Sequence, residues 1–143
     1  MALAPRQALE LWTDLRRWPS FVEGFARVKE VSPEWPEVGA KLVWESTPAG
    51  RGRVTEKVVE SEGERFATQV YDESLKGTQT AVFEAAEEGT RVDVRLAYDL
   101  SQTGPARALA DWLFIRRALR DSLRRTLQRF AVEAEEEAAL RSP

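Results

Sequence analysis

The sequence contains no cysteine and no histidine. The first absence excludes disulfides, thiolate metal sites and cysteine nucleophiles. The second removes Ser-His-Asp catalysis, histidine zinc sites and the ordinary imidazole base. Long apolar runs are missing too. Trp112-Leu113-Phe114-Ile115 is the longest strongly apolar stretch, against the roughly 20 residues that a membrane-spanning helix needs. The opening Met1-Ala2-Leu3-Ala4-Pro5-Arg6 lacks the apolar segment of a signal peptide, so the expectation is a cytoplasmic protein. With a net charge of −3, bulk charge gives no reason to expect DNA as a partner. Gly50-Arg51-Gly52-Arg53 lacks the Lys-Ser/Thr pair and following helix of a phosphate loop. No metal site and no cofactor motif is legible, which leaves chemistry to carboxylates, Arg, Lys, Tyr and hydroxyls.

What remains is an ordinary globular balance, 143 residues with 43% hydrophobic and 31% charged side chains. A chain of that length buries roughly two-thirds of its unfolded surface and needs no covalent staples. Pro5 followed by Ala8, Trp12 and Leu15 predicts a first helix. Pro19 interrupts it, and Ser20 to Phe25 reads as a second short helix or turn, with Gly24 as the C-terminal cap. Six segments rich in Val, Thr and aromatics then alternate with turn residues: Ala26–Val31, Lys41–Ser46, Arg53–Val59, Arg65–Tyr71, Lys76–Ala86 and Thr90–Leu100. In the last, Val92, Val94, Leu96, Tyr98 and Leu100 share one face and Arg91, Asp93, Arg95 and Asp99 the other. That alternation belongs to an antiparallel sheet with one covered face.

The chain closes on a long helix from about Pro105 to about Glu137. Its Leu109, Trp112, Leu119, Leu123, Leu127 and Phe130 fall within about an 80° sector, so the helix is expected to lie across the sheet. The acidic stretch over 131–143 is expected to fray. The class is therefore α+β: two short helices, an antiparallel β-meander and a long C-terminal α-helix, in a single domain over residues 1–143.

Several phrases sharpen this picture. Ala4-Pro5, Leu11-Trp12 and Trp18-Pro19-Ser20-Phe21 resemble the opening of the START-like (SRPBCC) superfamily, in its polyketide cyclase/dehydrase and lipid-transport branch. Phe83, Glu88-Gly89-Thr90-Arg91-Val92, Tyr98-Asp99-Leu100 and Gly104-Pro105 resemble that family's last hairpin and the start of its final helix. The resemblance implies a helix-grip fold whose cavity, between the curved sheet and the long helix, holds lipids, polyketides, quinones or other hydrophobic molecules. One departure stands out: family members usually carry a strand before the Ala-Pro element, and here three residues precede it. An uncovered sheet edge invites pairing, which predicts a homodimer through that edge or its coverage by another segment.

Within that frame, Leu109, Trp112 and Leu113 are expected on the ligand-facing wall, where plain core packing competes. Arg116 falls inside the apolar sector of the helix with Arg120 beside it. A guanidinium there grips a ligand carboxylate or phosphate, pairs with a sheet carboxylate, or reaches out to water. Trp44, Phe66, Tyr71, Phe83 and Tyr98 are strand aromatics whose parity decides their face. Tyr98 shares the face of Val94, where its phenol orients a ligand carbonyl or finds a partner in the core. Phe114 projects away from the stripe, toward a dimer contact or solvent.

Glu56 and Glu84 are candidate cavity carboxylates whose desolvation would tune proton transfer. Arg107, Arg116, Arg117, Arg120, Arg124, Arg125 and Arg129 against Asp111 and Asp121 make a basic helix that either meets an anionic partner or forms a solvated face. Three functions follow from these residues. The first is a non-enzymatic carrier or sensor of a hydrophobic small molecule. The second is a cyclase- or dehydratase-type enzyme using Tyr98 and a cavity carboxylate. The third is an interaction module like the ribosome-associated or quinone-chaperone branch. The lack of histidine favours the first.

Overall fold

The computed structural model describes residues 1–48, 52–72, 76–99 and 108–142, with the side chains of 98–99 and 108–115 outside that description. Helix α1 spans Pro5–Thr13, started by Pro5 and by a Gln7 side chain that accepts the Ala4 N–H at 3.0 Å. A 3₁₀ turn at Leu15–Arg17, capped by Asp14, leads into the single-turn α2 at Trp18–Phe21. The strands follow as β1 (Phe25–Val31), β2 (Lys41–Ser46), β3 (Arg53–Glu62), β4 (Arg65–Tyr71), β5 (Lys76–Ala86) and β6 (Gly89–Asp99). They form one antiparallel sheet in the order β1-β2-β3-β4-β5-β6. Helix α3, Ala108–Arg141, closes the chain. This is the helix-grip arrangement expected from the sequence.

Period-two alternation sends Leu42, Trp44, Val54, Glu56, Val58, Phe66, Thr68, Val70, Ala81 and Phe83 to the covered face. The registers Trp44↔Val54, Leu42↔Glu56 and Glu56↔Val70 bring them side by side. A bulge between Val58 and Glu60 shifts the parity of β3 and carries it on to the Gly63 turn. On β6, Val92, Val94 and Leu96 are half-buried and Arg91, Asp93 and Arg95 exposed. Leu100 lies outside the described residues.

Aromatic rings join the layers. Trp12 stacks on Phe21 at 5.8 Å and meets Phe83 and Phe130 edge-on at 6.2 and 5.1 Å. Trp18 meets Phe25, Trp35 and Trp44, and donates its indole N–H to the Trp12 carbonyl at 2.8 Å. Trp35 packs edge-on against Phe66 and is anchored by its own N–H to the Thr13 carbonyl at 2.9 Å. Trp18 thus packs α2 on the sheet, while Phe21 sits between Trp12 of α1 and Phe130 of α3.

The acidic end departs from the fraying expected of it. Helix α3 continues through it to Arg141, Ala134 is fully buried, and Glu133 and Glu137 accept hydrogen bonds from Arg17 at 2.7 and 2.9 Å. That arginine lies far back in the sequence and converts a charge run into a docking contact.

The N-terminal residues cover one end of the β6 edge. The Met1 amine donates to the Thr90 carbonyl at 3.1 Å, and the Thr90 N–H donates to the Met1 carbonyl at 2.9 Å. The Thr90 hydroxyl binds the Leu3 carbonyl, and the Ala2 N–H reaches Glu135 on α3. Gly89 permits this contact: its φ is +128°, and a Cβ there would run into the Met1 carbonyl.

Candidate functional site

Two spaces lie between the sheet and α3. The inner one is a cavity of about 50 Å³ lined by Trp12, Trp18, Phe21, Trp44, Phe66 and Val70 with Glu23, Glu56, Gln79, Ser122, Leu123 and Thr126. Its polar centre is Glu56, only 5% exposed. The Trp44 indole N–H donates to one carboxylate oxygen at 2.8 Å, and the Thr68 hydroxyl donates to the other at 2.9 Å. Donors on both oxygens fix the orientation of the carboxyl group. The space beside it has room for a few waters, with polar partners to hold them.

The outer space is an open groove of about 610 Å³ between β6 and α3. Val94, Leu96, Leu123, Leu127 and Ala131 form its apolar floor, and Arg116, Arg120, Arg124 and Gln128 its polar rim. Leu123 lines both spaces.

Electrostatics differ along α3. Glu23 sits against Arg125 at 3.0 Å and Arg129 at 2.9 Å, and its N–H donates to the Thr126 hydroxyl at 2.9 Å. Hydrogen bonds from Arg17, and then from Arg141, hold the Glu137 carboxyl below the usual glutamate range. Arg16 does the same for Asp14 through its side-chain hydrogen bond. Arg116, Arg120 and Arg124 are exposed and have no ion pair among the described residues.

The residues singled out from the sequence separate into groups. Trp44 and Phe66 line the cavity, and Val94 and Arg116 line the groove. Arg116 is exposed at the rim, not held on the buried face that its helical angle suggested. Phe83 is fully buried against Trp12 and reaches neither space. Tyr71 follows the opposite strand parity from Val70 and borders a depression on the outer face with Glu45, Arg53, Thr55 and Asp72. Glu84, weighed as a cavity carboxylate, is also on the outer face, paired with Arg91 at 3.1 Å. Tyr98, Leu109, Trp112, Leu113 and Phe114 have side chains outside the described residues, and Arg107 lies wholly outside them. Leu96, Leu123, Leu127 and Arg124 were not singled out as ligand contacts. The signal for the arginines was their recurrence at every fourth position, which places 116, 120 and 124 on one helix face.

A family model described as polyketide cyclase/dehydrase and lipid transport matches residues 1–135. No curated protein matches the sequence. Among solved structures, the chain is similar to a Chromobacterium violaceum protein at 13% identity and a TM-score of 0.65, covering 92% of this chain and 90% of that one. A Rhodobacter sphaeroides protein is similar at 18% identity and a TM-score of 0.67, over 95% and 87% of the two chains. The di-domain ARO/CYC StfQ from the steffimycin biosynthetic pathway is similar at 18% identity and a TM-score of 0.70, over 96% of this chain and 49% of StfQ. At these identities the likeness is one of fold.

Proposed function

Since the chain belongs to the polyketide cyclase/dehydrase and lipid transport family of the START-like superfamily, we propose that it carries or senses a hydrophobic small molecule of the lipid, polyketide or quinone type. The ligand is held at the seam between β6 and α3. The observation that carries this reading is the groove itself. Its volume of about 610 Å³ falls within the roughly 300–1,000 Å³ of small-molecule sites, and its floor is aliphatic. Affinity comes from apolar burial against Val94, Leu96, Leu123 and Leu127.

Glu56 supports a second reading, a cyclase- or dehydratase-type enzyme with a buried carboxylate as its base. The carrier ranks first because both Glu56 oxygens already accept internal hydrogen bonds and the adjoining space of about 50 Å³ is the size of a few waters. We also propose that β6 pairs with β6 of a second copy. Both Thr90 backbone groups face away from β5 to meet Met1, so by alternation those of Val92, Val94 and Leu96 face the same edge. An antiparallel pair centred on Val94 sets each Asp93 opposite the other copy's Arg95.

The test is mass spectrometry of an organic extract from gently purified protein, with a heat-denatured and delipidated control. The carrier reading expects one hydrophobic compound in near-stoichiometric amount, absent from the control. An empty extract, together with no saturable binding of added lipids or quinones, overturns it.

A further inference from the structure

We infer that the β6–α3 groove selects single-chain amphiphiles with an anionic carboxylate head, which Arg116, Arg120 and Arg124 recognise. This rests on the groove being the ligand site and adds the polarity and orientation of what it holds. The three arginines recur at every fourth residue on one face, spanning about 12 Å of helix. All three are exposed and line the groove, and no aspartate or glutamate lines it among the described residues.

The contrast within α3 is informative. Arg125 and Arg129 share the carboxylate of Glu23, which sits against both, whereas the groove-facing row has no carboxylate partner among the described residues. Several guanidinium forks without such a partner favour an anionic head, and a carboxylate takes two parallel hydrogen bonds from one fork. The aliphatic residues extend the site past the arginines. Leu127 and Ala131 lie farther along the helix than Arg124, and the lining from 116 to 131 covers about 22 Å. Head and tail are therefore assigned: the carboxylate lies at Arg116 and Arg120, and a single chain runs over Leu123 and Leu127 toward Ala131. A neutral ligand would leave the positive rim unanswered, and a cationic one would be repelled by it.

Three ten-carbon probes separate charge from hydrophobicity: decanoate, decanol and decyltrimethylammonium, titrated calorimetrically into the full chain at low salt. Decanoate is expected to bind about tenfold or more tightly than decanol, with decyltrimethylammonium weakest. The variant Arg116→Gln/Arg120→Gln/Arg124→Gln should remove the preference, so that it binds decanoate no more tightly than decanol. Circular dichroism and urea melts verify that the variant folds, and Arg117→Gln on the same helix serves as a control expected to keep the preference. Equal affinity of decanoate and decanol for the unmodified protein, or a triple variant that keeps the preference, overturns the inference while the groove reading stands. Failure of both decanoate and decanol to bind overturns the groove reading, and this inference with it.

Discussion

Glu56 puts a carboxyl group into a layer built mainly from apolar and aromatic side chains, where two donors hold it. The Trp44 indole and the Thr68 hydroxyl each have a hydrogen bond to it under 3 Å. Glu56→Ala strands both donors in a buried site, at about 1–3 kcal/mol for each unsatisfied group. Glu56→Gln keeps an acceptor for at least one donor and should cost less. Urea unfolding of the two variants distinguishes them; equal losses would mean that the donors find water. Arg17 gives a pH-dependent counterpart. Its hydrogen bond is the largest influence holding the Glu137 carboxyl below its ordinary value. A depressed carboxyl contributes stability that is present above the unfolded value of about 4.3 and is lost as pH falls through the folded one. The stability gap between the protein and Arg17→Gln should therefore be wide at neutral pH and narrow in acid. A gap that does not change with pH would assign Arg17 a packing role only.

Among the elements, α3 differs most from what local pattern conveys. Alternation and turn residues placed every strand within a few positions. The main exception is β3, whose bulge at Val58/Glu60 breaks the parity and carries the strand on to Glu62. The end of α3 read as frayed because it is acidic and alanine-rich; besides the local Arg141, its glutamates are held by Arg17, beyond the reach of any helical period. Arg116 stood out by its angle in the apolar sector, but where that sector leaves the sheet and meets water depends on how α3 crosses β6. That crossing is a tertiary fact, and so is the position of Leu123 between two spaces. Tyr71 and Val70 show the same limit on a strand: one residue of offset moves a ring to the other face. Because Leu123 is half-buried, Leu123→Ala should cost about 2 kcal/mol, the low end for a buried leucine. It should also join cavity to groove, so that a longer chain gains affinity relative to a short one. Chain-length profiles of carboxylate binding before and after the substitution test this, and identical profiles would assign Leu123 no gating part.

For the molecule as a whole, the proposed pairing along β6 makes association testable. Met1 covers Thr90, and the outward backbone of Val92, Val94 and Leu96 has no strand partner among the described residues. In the proposed pair Asp93 and Arg95 exchange partners across the two-fold axis, so Asp93→Arg sets arginine against arginine. Sedimentation velocity should show a dimer for the unmodified chain and a shift toward monomer for the variant, larger at low salt where like charges are least screened. A monomer at every concentration removes the edge-pairing proposal.

The ring contacts have one more consequence, in how the protein absorbs polarised light. Trp18 stands nearly perpendicular to both Trp35 and Trp44, with ring centres 6.1 and 6.3 Å away. Indoles that close share their electronic excitation, and the shared transition gives a paired positive and negative band distinct from the helix signal. Trp18 and Trp44 also wall the inner cavity. The chain thus carries its own optical gauge: a molecule entering the inner cavity is expected to meet Trp18 and Trp44 and to change the paired band.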